Sequence, residues 1–134
     1  MLSAGEKRFF DVLVHSIDEN MYVCPKVRLA DLITVDIPNS DPSFWRHLGP
    51  INQKHVDFII CSRTDFSPLV AVELDGGSHN ETRRSERDTF VDSVFADARI
   101  PILHIPVRSI YYSDELRNII NSSLEKRASG NGEI

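Results

Sequence analysis

Cysteine is scarce in this sequence, and long apolar segments are absent from it. The two cysteines, Cys24 and Cys61, stand singly in apolar runs, and no Cys/His spacing resembles a zinc site. We expect both to be reduced core residues of a cytoplasmic protein. No apolar run approaches the ~20 residues that span a bilayer, so we expect no membrane partner. The first residues lack a basic segment followed by an apolar one, so we expect no signal peptide.

An excess of positive charge is also missing, as are internal repeats. The net charge of −5 argues against indiscriminate binding to nucleic acid, but it leaves room for a local basic groove. The 134 residues, 41% hydrophobic and 26% charged, suit one soluble globular domain. We expect that domain to cover residues 1–127. The small, polar tail at 128–134 is expected to be disordered.

The most informative segment runs from Val70 to His79 and reads Val-Ala-Val-Glu-Leu-Asp-Gly-Gly-Ser-His. It has the pattern of a buried strand that ends in two carboxylates, a glycine pair and a histidine. Alternation along a strand places Glu73 and Asp75 on the same face. Acids among apolar neighbours usually require a metal, a cation or a proton to neutralise them. This strand end is therefore the first candidate for an active site.

Hydrophobic periodicity divides the rest of the chain into alternating helices and strands. The predicted order is helix 3–17, strand 21–29, strand 55–61, strand 69–75, helix 80–98, strand 100–107 and helix 113–126, with a short helix at 41–49 inside a long connection. Pro25 argues for an edge position or a break in the first strand. Turn-like residues at 63–68 predict a hairpin, which would put Asp57 and Glu73 on neighbouring strands, facing the same side.

The order of the elements and the placing of the acids resemble the PD-(D/E)xK, or restriction-endonuclease-like, superfamily. The matching stretches are Pro25-Lys26-Val27-Arg28-Leu29-Ala30-Asp31, Lys54-His55-Val56-Asp57-Phe58 and Glu73-Leu74-Asp75-Gly76-Gly77-Ser78-His79, and Arg87-Asp88 and Ile100-Pro101-Ile102-Leu103 complete the match. The likeness is closest to the branch of the very-short-patch repair endonucleases. It also extends to uncharacterised bacterial domains that accompany topoisomerase-like and helicase-like modules. The resemblance implies an α/β fold with an αβββαβ core, in which helices flank a mixed central sheet of about four strands.

Carried over to this chain, the resemblance makes Asp57 the first metal-binding acid and Glu73 the second. The standard pattern then has a lysine where this chain has Asp75. A basic group elsewhere would have to take the place of that lysine. The candidates are His79 and Arg87, with Lys26 as a third.

Phosphodiester hydrolysis needs an activated water and a stabilised phosphate, and Mg²⁺ or Mn²⁺ held by carboxylates supplies both. We expect Asp57, Glu73 and Asp75 to hold the ion, with Glu6 at the edge of the site. Glu6 has a second interpretation, because Ser3-Ala4-Gly5-Glu6 is a capping-box pattern. The basic residues that could contact DNA phosphates are Lys26, Arg28, Lys54, Arg83 and Arg84.

The sequence thus favours a metal-dependent DNA endonuclease domain, with Asp57, Glu73, Asp75, His79 and Arg87 as its catalytic residues. We expect it to act in DNA repair or processing, beside other domains of a larger protein. Two alternatives stay open: a catalytically inactive DNA-binding module with the same fold, and a protein-interaction domain whose acids form ion pairs. The sequence leaves the DNA substrate and the oligomeric state open.

Overall fold

The computed structural model describes residues 1–28, 55–76, 95 and 99–132. Their helices and strands are α1 Ala4–Ser16, β1 Met21–Arg28, β2 His55–Ser62, β3 Pro68–Asp75, β4 Ile102–Pro106 and α2 Ser113–Gly132. The bounds lie within two residues of those predicted, apart from the end of α2. The predicted helix at 41–49 lies outside the described residues. So does the helix at 80–98, apart from the buried Phe95.

The four strands form one mixed sheet in the order β1-β2-β3-β4. The first three strands are antiparallel neighbours, and β4 runs parallel to β3. This arrangement confirms the predicted α/β class and is consistent with a restriction-endonuclease-like αβββαβ core. A parallel neighbour requires a crossover connection, which here joins Asp75 to Ile102.

The predicted hairpin between β2 and β3 is present and fixes their alignment. The Ser62 amide donates to the Ser67 carbonyl and the Phe66 amide to the Ser62 carbonyl, each over 2.9 Å. Asp65 Oδ1 accepts from the Ser67 amide at 3.0 Å, as turn aspartates commonly do. A short, internally bonded turn leaves little freedom for the strands to slip. The positions of the acids relative to one another therefore follow from the hairpin.

Within the described part of the chain, α1 and α2 both pack on one face of the sheet. The residues of this helix-covered face and of the helices form one apolar core: Phe9, Leu13, Phe58, Ile60, Val70, Val72, Ile105, Leu116 and Ile120. Within it the rings of Phe9 and Phe58 lie 5.4 Å apart. Strand alternation sends the intervening residues to the opposite face, where the acids stand.

A capping box begins α1, as the sequence predicts. The Ser3 hydroxyl accepts from the Glu6 amide at 3.1 Å, and Glu6 Oε1 accepts from the Ser3 amide at 2.9 Å. Two amides that the helix itself cannot satisfy therefore obtain acceptors.

Strand β1 forms one edge of the described sheet, which confirms the position expected from Pro25. Pro25 is exposed, and Lys26 after it has a φ of 53°. Residues other than glycine seldom adopt this left-handed conformation. The strand is therefore distorted at Lys26, although pairing with β2 resumes at Val27.

Helix α2 extends to Gly132, six residues beyond its predicted end at Lys126. Residues 128–132 are therefore helical rather than part of a disordered tail. Once a helix is nucleated, each added residue costs little because it forms one more backbone hydrogen bond. Small and polar side chains near the end of α2 did not reveal this continuation.

The two cysteines are free thiols, as expected, and their sulfur atoms lie 3.9 Å apart across β1 and β2. Burial, together with the neighbouring Cys24, raises the pKa of the Cys61 thiol to about 12. Cys61 is therefore a neutral core thiol at physiological pH. Of the helices within the described residues, none is both long and apolar enough to cross a membrane.

Candidate active site: a polar row across the sheet

Polar residues from neighbouring strands fall opposite one another on the face of the sheet away from the helices. Glu73 of β3 pairs directly with His104 of β4. Phe58 of β2 pairs with Val72 of β3, so the next antiparallel position places Asp57 opposite Glu73. Residues opposite each other in a sheet project from the same face. Asp57 and Glu73 therefore share one face, as the sequence predicts.

Lys26 of β1 continues this alignment to the edge of the sheet. Two pairs flank it, Pro25 with Phe58 and Val27 with Val56. The position between them places Lys26 opposite Asp57. We call Lys26, Asp57, Glu73 and His104 the polar row. Each of the four strands contributes one member.

The Asp57 carboxylate is fixed by a backbone contact. Its Oδ2 accepts from the Leu74 amide of β3 over 2.8 Å in a partly buried setting. The side chain thus supplies an acceptor near the point where the described β2–β3 pairing ends, at Phe58 and Val72. Within the described part of the chain, Asp57 Oδ1 makes no hydrogen bond. One oxygen therefore serves the structure, and the other is available for chemistry.

Asp75 contacts His104 rather than standing alone at the strand end. Asp75 Oδ1 lies 3.4 Å from His104 Nδ1, with the side chains 48% and 32% exposed. Where the superfamily pattern has a lysine, this chain therefore has an aspartate beside a histidine from the next strand.

Glu6 joins the polar row through Lys26. Its Oε2 lies 2.5 Å from Lys26 Nζ, while Oε1 accepts from the Ser3 amide. Burial acts to raise the pKa of the Glu6 carboxyl, but the bonds from Lys26 and Ser3 outweigh it and hold that pKa below its ordinary value. Both oxygens have partners, so the described contacts of Glu6 hold a helix end and a lysine. The expected role of Glu6 as a metal ligand stays a prediction.

Of the six other predicted site residues, the structure describes Arg28 alone. Arg28 is exposed at the end of β1, opposite His55. Other predicted residues lie outside the described residues: Lys54, His79, Arg83, Arg84 and Arg87. Their roles stay predictions.

The number of candidate metal ligands that lie together among the described side chains bears on the expected metal ion. Across residues 1–28, 55–76, 95 and 99–132, no three His, Cys, Asp or Glu side chains converge as a metal-binding group. Asp57 and Glu73 nevertheless suit Mg²⁺, which commonly uses one or two carboxylates and completes its shell with water and substrate phosphate. The donor chemistry therefore fits a two-carboxylate site, whereas the predicted set with Asp75 is not assembled in the described residues.

His104 is the member of the polar row that sequence reasoning missed. It interrupts the apolar run Ile102-Leu103-His104-Ile105, as Asp57 interrupts β2. That interruption was the available signal. Its meaning depends on the parallel pairing of β3 and β4, because only that pairing brings His104 beside Glu73 and Asp75.

Comparison with known proteins gives one family match. The model of the family described as "Protein of unknown function (DUF2726)" matches residues 1–124. No curated protein and no solved structure matches the chain.

Proposed function

The chain belongs to this family of unknown function, and we propose that its polar row is the active site of a metal-dependent nuclease that hydrolyses phosphodiester bonds in DNA. The observation that carries the proposal is the antiparallel pairing of Phe58 with Val72, from which Asp57 and Glu73 follow as opposite positions on adjacent strands. Two carboxylates on one partly buried face offer the oxygen ligands that a divalent cation binds. In the proposed site, both carboxylates bind one divalent cation.

Asp57 and Glu73 would hold Mg²⁺ or Mn²⁺ through carboxylate oxygens, with Asp57 Oδ1 the available oxygen of that residue. A bound ion of this kind lowers the pKa of a coordinated water and stabilises charge on a phosphate. The hydrogen bond from Leu74 to Asp57 keeps the carboxylate in place while substrate binds. Asp75 orients the His104 ring beside Glu73. Asp75 would act on the substrate only through the His104 ring. His79 and Arg87 would complete the proposed site.

DNA as the substrate is supported by cations next to the acidic face. Lys26 belongs to the polar row, and the exposed Arg28 stands two residues further along β1. Phosphate contacts of this kind position a duplex without reading its sequence. The proposal includes a cytoplasmic location and action beside other DNA-processing domains.

An inactive DNA-binding module of the same fold is the second candidate. It is favoured by the Asp75–His104 contact, because that contact occupies the position at which the superfamily pattern has a lysine. Such a module would bind DNA and metal without turnover.

Thermal unfolding in Mg²⁺ and in Mn²⁺ tests the metal site, because an ion that binds only the native state raises the Tm. The wild type should gain stability with millimolar ion, and Asp57→Asn and Glu73→Gln should lose that gain. Asparagine keeps the acceptor for Leu74, so the first variant should fold. The control is Asp11→Asn, which removes one exposed charge from α1 and should leave the gain unchanged.

Cleavage of duplex, mismatched and branched DNA then separates the two candidates. An active nuclease should cut at least one form with Mg²⁺ or Mn²⁺ and lose that activity in both acid variants. A wild type that ignores both ions would refute the metal site. Metal and DNA binding without cleavage of any form would favour the inactive module.

A further inference from the structure

Lys26 has three properties that a solvated edge lysine does not need. Its backbone is left-handed, it binds a carboxylate from another element, and it lies in the polar row opposite Asp57. We propose that Lys26 is the anion-binding residue of the polar row, and that Glu6 and a substrate phosphate compete for its ammonium group. The identification of the anion as a DNA phosphate rests on the proposed nuclease function.

The backbone of Lys26 points to a positional requirement. A φ of 53° is readily adopted by glycine, whereas a lysine pays for it in steric strain. Strain of this kind persists only where the surroundings enforce it, and it concentrates at functional sites. The ion pair with Glu6 holds Nζ of the residue that has this conformation. A lysine at this position is therefore held in a chosen direction.

Glu6 is a partner from which Lys26 can be released. The helix cap already fixes its carboxylate, because Oε1 accepts from the Ser3 amide and the Glu6 amide donates to Ser3. Removal of the lysine would therefore not leave Glu6 without a hydrogen bond. Lys26 is 37% exposed along its side chain, so an anion from solvent can reach it. Glu6 thus serves as a resting partner.

The negative charges of the polar row oppose the binding of a phosphate, and a nearby cation would favour it. Asp57 and Glu73 repel a phosphate, and an ammonium group at the neighbouring position offsets this repulsion. Lysine carries three donors on a flexible stem, which suits a move from one oxygen partner to another. A phosphate bound by Lys26 would lie at the β1 side of the two carboxylates. Substrate would therefore approach the row from the β1 edge.

Binding of fluorescently labelled duplex DNA, measured by anisotropy in EDTA over a range of salt concentrations, tests the competition. Lys26→Met should weaken binding roughly tenfold and make the salt dependence shallower by about one ion. Glu6→Gln should tighten binding severalfold, because glutamine preserves the capping box while removing the competing charge. The double variant should match Lys26→Met, since the effect of Glu6 passes through Lys26.

Two further variants serve as controls. Lys7→Met removes an equally charged side chain from α1, where Lys7 pairs with Asp11, and should change affinity less than twofold. Lys26→Gly fits the left-handed backbone, so it should keep or raise the Tm while losing affinity as Lys26→Met does.

Wild-type affinity in Lys26→Met would overturn the proposal. So would a loss in Glu6→Gln equal to that in Lys26→Met, because this would indicate that the pair only maintains the fold. The nuclease proposal fails separately, through absence of thermal stabilisation by Mg²⁺ and Mn²⁺ in the wild type. Opposite effects of Lys26→Met and Glu6→Gln in EDTA would support the anion site even then.

Discussion

The two faces of the sheet are built from alternate residues of the same strands, and they differ in where they carry charge. On the helix-covered face, Phe58, Ile60, Val70 and Val72 are at most 1% exposed. On the other face, within the same strands, the polar row carries charges that remain partly exposed. The helix-covered face is apolar, whereas the other face combines the buried Ile59 and Ala71 with groups that can bind a ligand.

This division shows how a small sheet can carry a reactive site without losing stability. Apolar burial contributes most of the favourable free energy of folding, so the buried residues of both faces can support the charged groups among them. The backbone transmits that rigidity, because consecutive residues such as Asp57 and Phe58 belong to opposite faces. A site on such strands is held by packing that its own side chains do not provide.

Phe58→Ala should produce the largest change. Its ring contacts Phe9 and stacks on Phe10 at 6.0 Å within the helix-covered core. Loss of a buried phenylalanine and the resulting cavity should lower the free energy of unfolding by about 3–5 kcal/mol. Urea denaturation measures this loss. A loss below about 1 kcal/mol would show that the helix-covered core does not stabilise the fold as described.

Asp57→Ala should have an intermediate effect, because the Asp57 carboxylate both accepts a structural hydrogen bond and belongs to the polar row. Without its carboxylate the partly buried Leu74 amide lacks an acceptor, which should cost about 1–3 kcal/mol. Asp57→Asn retains an acceptor and should stay within about 0.5 kcal/mol of wild type. The comparison of the two variants separates the hydrogen bond that Asp57 accepts from Leu74 from the negative charge of the carboxylate. Equal destabilisation in both variants would indicate that the negative charge itself stabilises the fold.

Removal of the cap with Ser3→Ala should cost about 1 kcal/mol, because the Glu6 amide at the start of α1 loses its acceptor. Glu6 adds a pH dependence. Its pKa is lowered in the folded state, so its contribution is present above its ordinary value of 4.5 and is lost as pH falls through the lower folded value. Denaturation of wild type and Glu6→Gln should therefore converge in strongly acidic solution. A gap that widens with falling pH would contradict the assignment.

His104→Gln should have the smallest effect on stability, within about 0.5 kcal/mol of wild type. Its contact with Asp75 spans 3.4 Å between partly exposed side chains, and such pairs contribute little. Any effect on metal binding or DNA cleavage should exceed the effect on unfolding. A destabilisation comparable to that of Asp57→Ala would assign His104 to the structural part of the sheet.

Local pattern predicted much of this fold. Alternation marked β2 and β3, turn residues marked their hairpin, and Ser3 with Glu6 marked the start of α1. These features arise from neighbours in the chain, so short segments contain the necessary information. The facing of Asp57 and Glu73 followed because a hairpin sets its own register.

Features that depend on distant segments could not be predicted in the same way. The partner of β4 is fixed by a crossover from Asp75 to Ile102, so nothing near His104 identifies Glu73 as its neighbour. The ion pair between Glu6 and Lys26 likewise joins a helix to an edge strand. A left-handed lysine has no sequence signature, because its conformation is imposed by its surroundings.

The distortion of β1 also bears on association between molecules. An open strand edge offers unpaired amides and carbonyls on which another chain can add a strand, and this is a route to aggregation. Pro25 lacks an amide hydrogen, and Lys26 departs from extended geometry and carries a charge. Together they interrupt the hydrogen-bonding ladder that an incoming strand would need. Lys26, whose ammonium group belongs to the polar row, therefore also helps to prevent another chain from adding a strand at this edge.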